Sequence, residues 1–205
     1  MRRLRTLMAA MLAAALLTPR AEAGVFGDAS VPYSATTVLT VDGQNFAGTL
    51  HAVPGLQRHD QTVAGVAETT ILDLASGRGY FVLPMFKAYV EFGFRLALAE
   101  LRSPDLTAKP LGRDEVNGVA TTKYRVNHRA KDGTLIEGFA WLTRTGIAMR
   151  TEGSVTTPEG RRTEFSWELS RLQLAQQDRS LFDPPEGYYK LPMVLLPPFL
   201  NGTEP

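Results

Sequence analysis

The chain has 205 residues, with 22 Lys+Arg against 21 Asp+Glu, three His and no Cys; 44% of it is hydrophobic and 21% charged. That composition excludes a disordered or collagen-like chain, and a chain without Cys can form no disulfide. Setting aside residues 1–23, which hold four Arg and one Glu, leaves 18 basic and 20 acidic side chains, without the basic footprint of a nucleic-acid binder.

The first element in chain order is a targeting segment. Arg2, Arg3 and Arg5 precede an unbroken apolar run from Leu7 to Leu17, and Ala21-Glu22-Ala23 follows Thr18-Pro19. A basic start, a short apolar run and an A-x-A site predict a secretory signal peptide, cleaved after Ala23. The run is shorter than the roughly 20 residues a spanning helix needs. With no Cys after the cleavage site there is no lipid anchor there. The expectation is a soluble periplasmic protein: one domain over 24–193 and an apolar, Pro-rich tail over 194–205.

Beyond the signal, turn residues recur at short intervals: Asp42-Gly43, Pro54-Gly55, Ser76-Gly77, Asn117-Gly118, Asp132-Gly133, Thr145-Gly146 and Pro158-Glu159-Gly160. Stretches rich in Val, Thr, Phe, Tyr and Leu lie between them, which predicts an antiparallel meander. Loop length sets register. A two-residue loop at Asp42-Gly43 places Leu39 opposite Phe46 and Ala35 opposite Leu50. A two-residue loop at Asp132-Gly133 places Tyr124 opposite Trp141 and Val126 opposite Phe139. Three-residue loops ending at Gly146 and Gly160 place Trp141 opposite Met149, Met149 opposite Leu169, Thr151 opposite Trp167 and Gly153 opposite Phe165. Because side chains alternate, one face then collects Tyr124, Val126, Phe139, Trp141, Ile147, Met149, Val155, Phe165, Trp167 and Leu169. The other collects Lys123, Arg125, Arg150, Glu152, Glu164 and Glu168.

One helix interrupts the strands. Phe94, Ala97, Leu98 and Leu101 follow helical spacing, and Ser103-Pro104 ends it. The predicted fold is mainly β, a curved antiparallel sheet forming an unclosed barrel with the helix packed in its concave side. The stretch from Tyr80 to Phe92 is the densest in aromatics and apolar on both alternating faces, with Pro84 as a bend. Such a strand is buried on both sides or lines a cavity. After it, Leu191 to Leu200 is apolar but interrupted by Pro192, Pro197 and Pro198, which forbid a helix or central strand. That tail should be extended, packed across the barrel mouth or waiting for a partner or lipid, or else loose.

Catalytic chemistry finds little support. A two-residue loop at Pro54-Gly55 pairs His51 with Arg58 and sends His59 to the opposite face, and His128 lies far along the chain. The three histidines read as solvated or singly satisfied, not as a metal site, and no H-E-x-x-H is present. There is no G-x-S-x-G and no phosphate-binding loop. Most Asp residues sit at turns, where backbone chemistry explains them. A hydrolase with unseen carboxylates stays the least favoured reading, and no cofactor is expected.

The string Ile71-Leu72-Asp73, Gly79 through Pro84 and Lys87-Ala88-Tyr89-Val90-Glu91 resembles periplasmic proteins of the lipoprotein-carrier type, the LolA/LolB-like superfamily. So does the later series Val116-Asn117-Gly118, Thr122-Lys123-Tyr124, Asp132-Gly133, Trp141-Leu142-Thr143 and Gly146-Ile147. Gln177-Asp178, Ser180-Leu181-Phe182, Pro184-Pro185, Gly187-Tyr188 and Lys190-Leu191 complete it. The resemblance spans about residues 33–193 and rests on order and spacing. It implies a half-barrel with a helical lid whose apolar interior holds acyl chains, with no covalent chemistry. The expected cavity-wall residues are Phe81, Met85, Tyr89, Trp141, Met149 and Trp167. The expected partners are an apolar lipid or acylated protein and a transient envelope protein, with the chain itself a monomer. The alternative is an envelope protein-interaction or stress-related module whose concave face is filled by its own helix.

Overall fold

The computed structural model describes residues 29–63, 65–94 and 106–192. The predicted signal segment, the predicted helix apart from Phe94, and the predicted tail over 194–205 lie outside them. The strands are β1 (Tyr33–Val41), β2 (Gln44–Val53), β3 (Leu56–Val63), β4 (Val66–Asp73), β5 (Arg78–Leu83), β6 (Ala88–Gly93), β7 (Thr107–Val116), β8 (Val119–Arg129), β9 (Leu135–Leu142), β10 (Ala148–Thr156), β11 (Arg162–Gln173) and β12 (Tyr189–Leu191). They form a single 12-stranded sheet in the order β12-β6-β5-β4-β3-β2-β1-β11-β10-β9-β8-β7. Neighbours are antiparallel except for β12, which runs parallel to β6. With β7 and β12 as edges the barrel is unclosed, as the sequence predicts. Two short 3-10 turns, Pro84–Phe86 and Arg179–Phe182, are the helical elements among the described residues.

Directly opposed residues share a face, so the register separates two surfaces. The inner one carries Leu39, Leu50, Leu72, Phe81, Val90 and Trp167, all buried. Its curvature shows in one contact. The His59 ring on β3 meets the Trp167 ring on β11 edge-on, with centroids 5.5 Å apart. Those strands are three strand spacings apart, roughly 14 Å across a flat sheet. The inner face is therefore concave there. Burying one such aromatic or aliphatic side chain stabilises the fold by about 1.5–3 kcal/mol.

The outer face differs along the sheet. From β2 to β5 it is apolar and roofed. Phe182 packs on Val53, Ile71 and Val82, with Leu56, Tyr80, Tyr89, Leu181 and Tyr188 around them. The returning segment 174–188 thus acts as a strap, and β12 then pairs with the edge of β6. Polar bonds hold it: His51 Nδ1 lies 2.8 Å from Gln177 Oε1, Arg58 donates to the Leu181 carbonyl at 3.0 Å, and Lys190 meets Glu91 at 2.5 Å. From β8 to β11 the outer face is charged.

Three expected registers hold. Leu39 faces Phe46, His51 faces Arg58, and Thr151 faces Trp167. The β8–β9 hairpin differs by one residue. Ala130 pairs with Thr134 across a three-residue loop, with Gly133 at φ 90° and the Asp132 carboxylate accepting from the Thr134 amide. Trp141 therefore opposes Lys123, and Phe139 opposes Arg125. Since the side-chain period is two, this slip carries Phe139 and Trp141 to the outer face. A bulge between Ala148 and Arg150 makes the matching correction on the next strand, so Trp141 faces Arg150 instead of Met149.

The stretch from Tyr80 to Phe92 is likewise not one bent strand. Pro84–Phe86 forms a 3-10 turn capped by Lys87 at φ 45°, and the chain reverses into β6. Gly138 and Gly153 pair across β9 and β10, and a Cβ at either would run into the backbone of the other strand. These glycines permit the close strand approach that the coiled sheet needs here.

Candidate functional site: the concave inner face

The inner face is built by strand alternation. On β1 the residues Tyr33, Ala35, Leu39 and Val41 are buried, and on β11 so are Phe165, Trp167 and Leu169. On β3 and β4 the same alternation delivers polar groups. Gln57 and His59 are 2% and 7% exposed, and Glu68 is 8% exposed. They stand opposite Leu72, Leu50 and Gln61 respectively. A polar notch is thus set into an apolar surface, beside Trp167.

Burial governs its electrostatics. Loss of hydration pulls the His59 imidazole down to about 4, against the opposing charge of Asp60, so it is neutral at physiological pH. His59 Nε2 lies 3.2 Å from Gln57 Oε1, an arrangement in which the ring N–H donates to the amide oxygen. Burial also pushes the Glu68 carboxyl up, partly offset by a hydrogen bond from Gln61. The notch therefore favours uncharged, hydrogen-bonding groups. His128 is also buried, at 2% exposure. Thus two of the three histidines are core residues, and His59 is singly satisfied, by Gln57, and not solvated. Among the described residues, no group of three or more His, Asp and Glu could hold a metal ion.

The six expected wall residues separate. Phe81 and Trp167 lie on the inner face, and Met149, fully buried in the β10 bulge, belongs to one core cluster with both Trp167 and Trp141. The others stand elsewhere. Tyr89 opposes Val82 on the outer face, edge-on to Tyr80 at 5.9 Å beneath the strap, because the β5–β6 turn reverses the chain. Met85 sits in that turn, 66% exposed. Trp141 is buried on the outer face. The Lys123 ammonium lies 4.3 Å from its ring centroid, the Arg150 guanidinium lies 5.5 Å away, and its Nε1 donates to Asp114 at 2.7 Å.

Sequence reasoning missed Gln57, His59 and Glu68 as inner-face residues. The Pro54-Gly55 register already sent His59 away from His51, and extending that alternation along β3 and β4 would have found the notch. Arg58, by contrast, faces the strap. It makes a paired contact with Asp60, Nε to Oδ2 at 2.8 Å and Nη2 to Oδ1 at 2.8 Å, and Thr69 donates to the same carboxylate at 2.6 Å. Burial alone would raise Asp60, but the hydrogen bonds from Arg58 and Thr69 and the guanidinium charge outweigh it and hold the carboxyl below its usual range.

No family model matches the sequence, and no curated protein does. Solved structures similar to this chain do exist. An uncharacterized conserved protein from Thermus thermophilus aligns with a TM-score of 0.53 at 13% identity, covering 80% of this chain and 91% of that one. MucB in its complex with MucA from Pseudomonas aeruginosa aligns at 0.48 and 15% identity, over 76% of this chain and 56% of that one. A LolA superfamily protein from Nitrosomonas europaea aligns at 0.41 and 6% identity, over 87% and 97%. At 13% identity the likeness to the Thermus protein is one of fold. No helix among the described residues is long and apolar enough to cross a membrane.

Proposed function

We propose that this is an exported, periplasmic, non-catalytic protein that binds an apolar chain, such as a lipid or lipoprotein acyl group, against its inner face. One observation carries the reading. The concave face gathers Leu39, Leu50, Leu72 and Trp167 into one buried apolar cluster, with Phe81 buried on the same face, while the strap formed by residues 174–188 crosses the opposite face. The family resemblance of the sequence motifs supports it. Binding would be driven by apolar burial, about 25 cal/mol per Å² before association costs. Phe81, Met149 and Trp167 are the proposed ligand-facing residues, and the neutral notch at His59 and Gln57 would meet an uncharged polar group of the ligand.

The two tryptophans test this, because they lie on opposite faces. With Trp141→Phe, Trp167 becomes the sole tryptophan, and dibrominated stearic acid should quench it saturably in delipidated protein. With Trp167→Phe, the remaining Trp141 should be quenched little. Equal quenching of both, or none in either, sinks the acyl-binding reading and favours the interaction module.

A further inference from the structure

The turn between β5 and β6 carries apolar side chains that the core does not use. Met85 is 66% exposed and Phe86 64% exposed, and the turn Pro84–Phe86 buries no residue. Pro84 opens it, and Lys87 closes it at φ 45°, a left-handed conformation that a lysine rarely adopts. The Lys87 amide donates to the Pro84 carbonyl at 3.1 Å, and the Lys87 carbonyl accepts from the Tyr189 amide at 2.9 Å. The start of β12 is thus pinned against the turn and brings Tyr189, 73% exposed, to the same corner. Three of the six large apolar side chains exposed among the described residues share this corner, whereas Val38, Leu111 and Leu174 stand on other elements.

We propose that this corner docks the protein on a lipid bilayer, with Met85, Phe86 and Tyr189 entering the zone between headgroups and acyl chains. The residue types fit that occupant. Phenylalanine and tyrosine rings suit this zone, and each is followed in the chain by a lysine, Lys87 and Lys190, whose ammonium can stay at the level of the phosphates. Glu91, paired with Lys190, and the exposed Glu186 offset the two lysines, so the apolar side chains carry the docking and charge adds little. The chain continues in the same character. Four residues after Tyr189 begins the run Met193 to Leu200, which holds six apolar side chains and two prolines. Size argues against a protein partner. At roughly 200 Å² for a large side chain, two-thirds exposure of three leaves roughly 400 Å², about half of what each side of a stable protein interface contributes. Insertion into a bilayer needs no matching surface and strengthens with the apolar area buried.

The test is co-sedimentation of the protein, recovered after export, with vesicles of phosphatidylethanolamine and phosphatidylglycerol. Saturable binding is expected, and it should persist at about 0.5 M salt, which screens exposed charges. The double variant Met85→Ser, Phe86→Ser should lower the partition coefficient roughly tenfold or more, and Tyr189→Ser roughly threefold. Because the turn buries no residue, the double variant should melt at the parent's temperature. Leu111→Ser, at an exposed apolar position on β7, should bind as the parent does. Equal binding by the parent and the double variant overturns the proposal, as does an equal loss in Leu111→Ser. So does a parent that sediments as a dimer beside a double variant that sediments as a monomer, since a second copy would then cover the corner. No vesicle binding by the parent overturns it as well, and if a chain ending at Pro192 then binds, the tail is what covers the corner. Acyl binding is read at Trp167 on the inner face, which none of these substitutions touches, so either reading can fail without the other.

Discussion

From β2 to β5 the outer face is apolar and lies under the strap; from β8 to β11 the same face of the same sheet is charged and open. Apart from the bulge at Ala148–Arg150 both regions obey side-chain alternation, so the difference lies in what the chain brings back to cover them. Val53, Ile71 and Val82 make sense only because Phe182 returns to them. Trp141 and Phe139 achieve burial differently, by lying under Lys123, Arg125 and Arg150. Long cationic side chains cover aromatic surface while their heads stay wet. An apolar side chain on the outside of a sheet thus has two remedies, a strap or a layer of cations, and this protein uses one on each half.

The two halves predict a ranking of costs. Trp167→Ala empties a buried inner-face site shared by both, and should cost about 3–5 kcal/mol by urea denaturation. A loss below about 1 kcal/mol would mean that Trp167 does not hold the curved sheet together. Phe182→Ala tests the strap. It should cost about 3 kcal/mol and release Tyr89 and Tyr80 to solvent, which tyrosine fluorescence can follow. Phe139→Ala, in the open half, should cost clearly less because that ring is only half-buried. Equal losses at the two phenylalanines would erase the distinction between roofed and open halves.

Acid sharpens the comparison. His59 is held at about 4 by burial, below its ordinary value of 6.5. Between those values the unfolded chain binds more protons, so stability rises with pH across this window and falls on acidification through it. The full effect is on the order of 3 kcal/mol. Glu68 works the other way: its raised carboxyl contributes stability that is present below its unfolded value and lost as pH rises. The difference between the parent and His59→Gln therefore isolates the histidine. Melting temperatures from pH 7 to pH 4 should fall less steeply in the variant, and parallel slopes would place His59 in solvent.

Much of this architecture was legible from turn chemistry. Asp42-Gly43, Pro54-Gly55 and Pro158-Glu159-Gly160 each matched one loop length, and the pairs they imply are the pairs observed. Asp132-Gly133 was misread because Asp-Gly serves both two-residue loops and three-residue loops closed by a positive-φ glycine. Alternation could not correct the error. Tyr124 and Val126 are apolar on one face while Phe139 and Trp141 are apolar on the other, so either register buries aromatics. The strap was hidden for another reason. Its contacts link residues more than a hundred positions apart, and Gln177 to Tyr188 carries no periodic pattern. The one available sign was β5 itself, apolar on both faces and hence covered on both.

The smallest effect belongs to the open half. Glu168 on β11 accepts from Arg150 Nε at 2.7 Å and from Asn117 Nδ2 at 3.0 Å, and Asn117 also donates to the Leu169 carbonyl at 2.7 Å. These bonds tie the β7–β8 hairpin tip to β11, past β9 and β10. Burial would raise the Glu168 carboxyl, but the hydrogen bonds from Asn117 and Arg150 and the guanidinium charge hold it below its ordinary value. A depressed carboxyl contributes stability that is present above its unfolded value and lost as pH falls below it. Its window thus begins where that of His59 ends. Both side chains of the pair are 37% exposed, so water screens the interaction and the contribution is small. Glu168→Gln, which removes the charge and leaves one acceptor oxygen where two donors had one each, should cost under about 1 kcal/mol. High salt should shrink the difference, and the variant should lose the part of the acid transition below about pH 4.5 while keeping the part above it. A larger cost that salt does not touch would mean that the hairpin tip is held by a desolvated charge. The open half would then be as firmly closed as the strapped one.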